Sequence, residues 1–243
     1  MGPDPTAPLV SVVIPVLNGA RFLAEAIQSV LDQTYRPLEV VVVDDGSTDD
    51  SVAIARSFPT VFLIEQPHAG PGAARNRGIA DSEGEFLAFL DADDLMPPDK
   101  LELQVGYLNE HPTVGCVLGR QELFGDPTGT PAAVAMSPPM SQHPELLERG
   151  SLQPLSLVAR RSVFDTVGDF GTRFGEDIDW LARVWGSGIR VETIDEVVVR
   201  RRVHEGNLTH NIGGSRLAMF RALKEHAARS RAGGSATDRS GTS

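Results

Sequence analysis

Several short clusters in this chain carry side chains that could do chemistry. Asp91-Ala92-Asp93-Asp94 crowds carboxylates into one turn. Close carboxylates repel unless a cation lies among them. A hard divalent ion such as Mn2+ or Mg2+ takes oxygen ligands and also binds phosphate oxygens. The competing reading is a solvated acidic turn ahead of a helix at Pro97. Asp44 and Asp45 could accept a hydrogen bond from the ring N–H of a nucleobase, or could cap a turn with Gly46, Ser47 and Thr48. Arg75, among small residues, could face a phosphate or anchor Asp44 or Asp93. Glu176, Asp177 and Asp179 open a helical pattern. Acids there favour the helix dipole, or one of them serves as a general base. His204 follows three arginines and could join a metal or phosphate site.

These residues need a frame. Val10 to Ile14, Leu38 to Val43 and Phe86 to Leu90 are short runs, apolar on both faces, as buried parallel strands are. Val61 to Ile64 is a weaker fourth. Helical patterns lie between them: Phe22, Leu23, Ala26, Ile27, Val30 and Leu31 form one stripe. Ser47 or Thr48 is expected to cap the next helix, with Asp49 and Asp50 in its first turn. Gly72 to Ala80 reads as helix, and Pro97 as the start of another through Leu101, Val105 and Leu108. Alternating strands and helices imply an α/β fold with an open, mostly parallel sheet flanked by helices. In such sheets ligands sit beyond the carboxyl ends of the strands, which is where the acidic clusters fall.

The second half predicts strands over Val114 to Phe124, Leu155 to Val158 and Arg190 to Val203. It predicts helices over Arg161 to Val167, Glu176 to Trp185 and Arg216 to Ala228. Gly125 to Pro139 reads as a loop or flap. The expected organisation is a flexible N-terminus (1–8), one domain (9–228) with a nucleotide-binding half (9–112) and an acceptor-binding half (113–228), and a disordered tail (229–243) rich in Ser, Gly, Thr and Arg.

The bulk numbers bound the function. The chain has 243 residues and a net charge of -11, which disfavours nucleic acid as a partner. Cys116 is the only cysteine, so an internal disulfide and a Cys-rich zinc site are both excluded. No apolar run is long enough to span a membrane, and the first residues do not read as a signal peptide. A cytoplasmic location is expected, compatible with peripheral contact at a membrane. A homo-oligomer stays open.

Assembled, the segments resemble family 2 glycosyltransferases, which have the GT-A fold. The resemblance rests on Val10 to Asn18, Ser29 to Tyr35, Val43 to Asp49, Gly72 to Gly78, Leu90 to Asp94, Gly175 to Asp179 and Arg202 to Asn207, in that order. It implies a Rossmann-like N-terminal half and an acceptor-side C-terminal half. It implies nucleotide contacts from Pro15, Leu17, Asn18, Asp44, Asp45, Arg75, Asp91 and Ala92. It implies a metal site at Asp93 and Asp91 with His204 in support. Asp177 matches the catalytic base, and Glu176, Asp179 and Trp180 are acceptor-side candidates.

The activity so implied is metal-dependent, inverting transfer of a single sugar. The donor would be a nucleotide-diphosphate sugar, by resemblance a UDP-sugar. The acceptor would be a hydroxyl on a carbohydrate, a lipid-linked molecule or another compound. The Gln-x-x-Arg-Trp motif of processive synthases is absent. Three alternatives are weighed. A haloacid dehalogenase-like phosphatase would want Thr or Val at Leu95. A sugar nucleotidyltransferase would want glycines in Pro15 to Arg21. A non-catalytic nucleotide-sugar binding protein would not need Asp93 and Asp177 together.

Overall fold

The computed structural model describes residues 6–125, 154–171 and 176–204. The expected flap from Gly125 to Pro139 lies, beyond its first residue, outside the described residues. So do the helix over Arg216 to Ala228 and the tail. The described elements are β1 (Val10–Val16), α1 (Leu23–Leu31), β2 (Leu38–Asp44), α2 (Ser51–Arg56), β3 (Val61–Glu65), α3 (Pro71–Ala80), β4 (Phe86–Phe89) and α4 (Lys100–Glu110). They continue with β5 (Val114–Gly125), a 3-10 turn (Pro154–Ser156), β6 (Leu157–Arg160), α5 (Arg161–Val167), α6 (Glu176–Gly186) and β7 (Arg190–Val203).

The strands form one seven-stranded sheet in the order β3-β2-β1-β4-β6-β5-β7. Its first four strands are parallel, β6 is antiparallel to both neighbours, and β7 runs parallel to β5. The sheet is therefore mostly parallel and open, as expected. Its central strands are apolar on both faces because both faces are covered. Val12, Ile14, Val40, Val42, Phe86 and Ala88 meet α1, α2 and α4 on one side. Val13, Val41, Val43, Leu87 and Phe89 meet α3, α5 and α6 on the other.

Local chemistry shifts some expected boundaries. α4 starts at Lys100 rather than Pro97. Gln33 reaches across to close the turn before it, donating to the Pro97 carbonyl and accepting the Leu101 N–H. α2 starts at Ser51, and Asp49 accepts the Ser51 N–H. Ser47 and Thr48 cap no helix. The Ser47 hydroxyl accepts the Asn18 N–H, and the Thr48 N–H donates to the Asn18 side chain. Asn18, at φ 53, is thereby held in the left-handed region that asparagine tolerates. The strand expected over Leu155 to Val158 begins two residues later, after the 3-10 turn.

The long pair β5 and β7 has a function in placement. They run 12 and 14 residues, against 4 for β6. Three register shifts interrupt their pairing, and such irregularities add local bend and twist. An antiparallel bridge between Leu95 and Arg200 then ties the turn after β4 to the end of β7. An edge strand three places away thus delivers His204 to the same margin of the sheet as Asp93.

One core residue makes a prediction about stability. Lys100 is 0% exposed, and its ammonium donates to the Leu155 carbonyl. Burial pulls its pKa from 10.5 to about 7. The unfolded chain therefore holds more protons than the native one between about pH 7 and 10.5, so the cost of Lys100 is full below about pH 7 and fades as pH rises. Lys100→Met should stabilise the fold by about 1–3 kcal/mol at pH 6, allowing for the lost hydrogen bond, and by clearly less at pH 9. Urea melts of both proteins at the two pH values check this. A gap that does not change with pH would refute it.

Candidate active site

The site forms where the carboxyl ends of β1, β2, β4 and β7 converge. After β4, Asp91, Asp93 and Asp94 crowd together. Burial, then the neighbouring Asp91, raises the pKa of Asp93. Burial, then Asp91 and Asp93, also raises that of Asp94, although Asp94 accepts the Arg202 N–H at 2.8 Å. Carboxylates held together at such cost are suited to a cation. The Asp93 Oδ2 atom lies 3.0 Å from His204 Nε2. Among the described residues no group of three or more His, Cys, Asp or Glu is arranged as a metal cage. What is present suits an ion held by one or two protein groups and completed by phosphate oxygens, as Mg2+ commonly is.

Arg75 is the central post. Its Nη2 donates to Asp91 Oδ1 and its Nη1 to Glu176 Oε1, each at 2.9 Å. The expectation that it anchors Asp44 or Asp93 is corrected: its carboxylate partners are Asp91 and Glu176, with Phe170 5.8 Å from the guanidinium. Burial opposes its charge, but Asp91, Glu176 and Asp177 outweigh burial and raise its pKa. Its Nε remains buried with no hydrogen-bond partner among the described residues. Arg75 thus links the two halves of the chain.

That link depends on close packing of α3. A Cβ at Gly72 would lie 2.1 Å from the Gly171 carbonyl oxygen, so only glycine lets α3 sit this near. Asn76 adds two reciprocal hydrogen bonds with the backbone of Phe170, both 2.9 Å.

On the first turn of α6, burial and then Asp177 raise the pKa of Glu176, against the pull of Arg75. Asp177 stands beside it, close enough to act electrostatically on both Arg75 and Glu176. Asp179 pairs with Arg183 at 3.0 Å, and Arg183 also donates to the carbonyls of Val167 and Asp169. Asp179 therefore braces α6. Trp180 is not available to an acceptor. It is 0% exposed, stacked on Phe164 at 4.5 Å, and its indole N–H donates to the Gly168 carbonyl. An indole on that face of an amphipathic helix fills the core.

On the β1–β2 side, the two adjacent acids divide the work. Asp44 accepts the N–H groups of Gly46 and Ser47 with one oxygen. Its other oxygen is buried with no hydrogen-bond partner among the described residues. Asp45 accepts from Gln66, Ala69, His68 and Gly70 at 2.7–2.8 Å. Burial alone would raise its pKa, but these bonds hold it below the usual range. Gln66 and His68 carried no signal in the sequence, because a loop has no period to read. Pro15 lies buried in β1, while Leu17 is 46% exposed at its end and Ala92 sits partly buried across from Gly19.

Comparison with known proteins agrees with this architecture. The sequence profile described as Glycosyl transferase family 2 matches residues 11–227. An uncharacterized glycosyltransferase of Rickettsia typhi is 32% identical over 232 residues, spanning 89% of this chain and 70% of its own length. Mannosyltransferase PcManGT from Pyrobaculum calidifontis, solved in complex with GDP-Man and Mn2+, has a TM-score of 0.66 at 26% identity. That alignment covers 94% of this chain and 66% of PcManGT. S. aureus TarS 1-349, solved in complex with UDP-GlcNAc, has a TM-score of 0.71 at 21% identity, covering 90% of this chain and 65% of that one. At that identity the likeness speaks to the fold. The chain thus spans about two thirds of the length of both solved proteins. The ordered motifs, the GT-A type sheet and the profile match converge: the chain belongs to glycosyl transferase family 2.

Proposed function

We propose that the chain transfers a single sugar from a nucleotide-diphosphate sugar to a hydroxyl acceptor, with inversion and with help from a divalent metal. The observation that carries this is the joining of two clusters at one sheet margin. Asp91 is tied through Arg75 to Glu176, beside Asp177, while Asp93 meets His204. One cluster suits a diphosphate with its cation and the other an acceptor hydroxyl.

Asp93 and His204, with Asp91 beside them, would hold the ion. Bound there, Mn2+ or Mg2+ would neutralise charge developing on the departing diphosphate. Arg75 orients Asp91 from below and keeps Glu176 in place. The nucleobase is read at the rim formed by Pro15, Leu17, Asn18 and the Asp44–Asp45 pair. There a ring N–H can displace the His68 imidazole, whose side chain is 62% exposed, from Asp45. Asp177 takes the acceptor proton as that oxygen bonds to the anomeric carbon and the bond to the diphosphate breaks. The GDP-Man and Mn2+ bound by PcManGT support this choice of ligands. Family membership leaves the phosphatase alternative without support.

A thermal-shift panel of uridine and guanosine diphosphates and their sugars, with and without Mn2+, tests the reading. At about 100 times Kd a ligand stabilises by about 2.7 kcal/mol, which for a domain this size is a shift of several degrees. A Mn2+-dependent shift with one nucleotide family is expected. No shift with any nucleotide at saturation would sink the proposal.

A further inference from the structure

Three side chains pack against one ring at the edge of the site. The Phe22 ring lies 4.8 Å from the His204 ring, and the Arg202 guanidinium lies 4.4 Å from the Phe22 centroid. Arg21 approaches the same ring at 4.7 Å. Arg202 is also 4.6 Å from the Phe124 centroid, so its guanidinium is held by two aromatic rings. From that position it donates to the Asp93 carbonyl at 2.9 Å and to Glu25 at 2.8 Å. Its own backbone N–H donates to Asp94. One residue therefore binds the start of α1, the turn after β4 and the end of β7.

We infer that Phe22 and Arg202 are positioning residues that set the distance and orientation of Asp93 and His204 for a metal–diphosphate complex. The inference rests on the proposed role of that pair. Arg202 fixes the backbone that carries Asp93. Phe22 gives the His204 ring a wall, so that its rotation is restricted while Nε2 faces Asp93. Neither reaches the reacting atoms by this account. A planar guanidinium is required, because the stack between two rings and the lateral Nε donation both depend on its plane. Supporting groups around metal ligands typically matter about 10–100-fold in metal affinity.

The test is Mn2+ titration followed by electron paramagnetic resonance, on full-length protein with UDP or GDP present, beside sugar-transfer kinetics. Phe22→Leu and Arg202→Lys should weaken Mn2+ binding about 10-fold or more. kcat should recover in large part at saturating Mn2+. Phe22→Tyr, which keeps the ring, should restore wild-type affinity. Glu25→Gln, which removes only an exposed partner of Arg202, should leave Mn2+ binding near wild type. A variant that merely loosens the fold would lower Tm without a metal-dependent rescue. Wild-type affinity in both Phe22→Leu and Arg202→Lys would overturn the inference. Wild-type protein that binds no Mn2+ with either nucleotide would overturn the metal-site reading itself, and this inference with it.

Discussion

Asp177→Asn should lower kcat for sugar transfer by about 10²–10⁴-fold while leaving donor affinity within a few-fold. The amide keeps the shape of the side chain but cannot accept a proton from the attacking hydroxyl. The family resemblance gives the base position to Asp177, and the bonds of its two neighbours on α6 give each of them another task. Glu176 pairs with Arg75, and Asp179 pairs with Arg183. Protonating either would break an ion pair that braces the site or the helix. Asp177 stands beside Glu176 and acts on the Arg75 charge, at the position the family resemblance gives to the base. Glu176→Gln should behave differently. It frees one arm of Arg75, so donor KM and kcat should both worsen. Measuring both parameters for both variants separates the roles. If Asp177→Asn impaired donor binding as much as turnover, Asp177 would be a binding residue and not the base.

Much of this arrangement could be read from the sequence, for reasons that also mark where reading stopped. Strands such as Val10–Val16 and Leu38–Asp44 were legible because a doubly covered strand reads as a nearly continuous apolar run, and few other short elements do. Asp91 and Asp93 were legible because they follow such a strand. The partners of these groups were not. Arg75 finds Glu176 across 101 positions of sequence, and nothing local distinguishes Glu176 from Asp44 as its mate. Trp180 illustrates the opposite error. Its place next to functional acids suggested an acceptor contact, but successive residues on a helix point about 100° apart, so Trp180 faces Phe164 and Phe170 in the core. Phe22 read as part of a core stripe. It lies one residue before α1, where the helix no longer dictates its direction, and its ring turns to His204. Ser47 and Thr48 have the composition of caps, yet they serve Asn18, because the nearest unsatisfied groups came from another strand's end.

Asp93→Ala should reduce transfer by at least about 10²-fold at ordinary Mn2+ concentrations, and added metal should restore little of it. The magnitude follows from the several kcal/mol by which a bound ion stabilises charge on a leaving diphosphate, at about 1.4 kcal/mol per tenfold. Two consequences set this variant apart from a general loss of structure. First, Asp93 is one of three crowded acids, and burial with mutual repulsion raises its pKa. Removing it relieves that repulsion, so the ligand-free variant should melt no lower than wild type. A group whose folded pKa is raised binds its proton more readily in the native state, so its cost to stability grows as pH rises above the unfolded value. The advantage of Asp93→Ala in Tm should therefore be larger at pH 7 than at pH 4. Second, the nucleotide-induced thermal shift in Mn2+ should shrink towards the shift seen without metal. A variant that is stable and folded, yet has lost the metal-dependent part of nucleotide binding, places the ion at Asp93. Retention of the full Mn2+-dependent shift would move the ion to other residues.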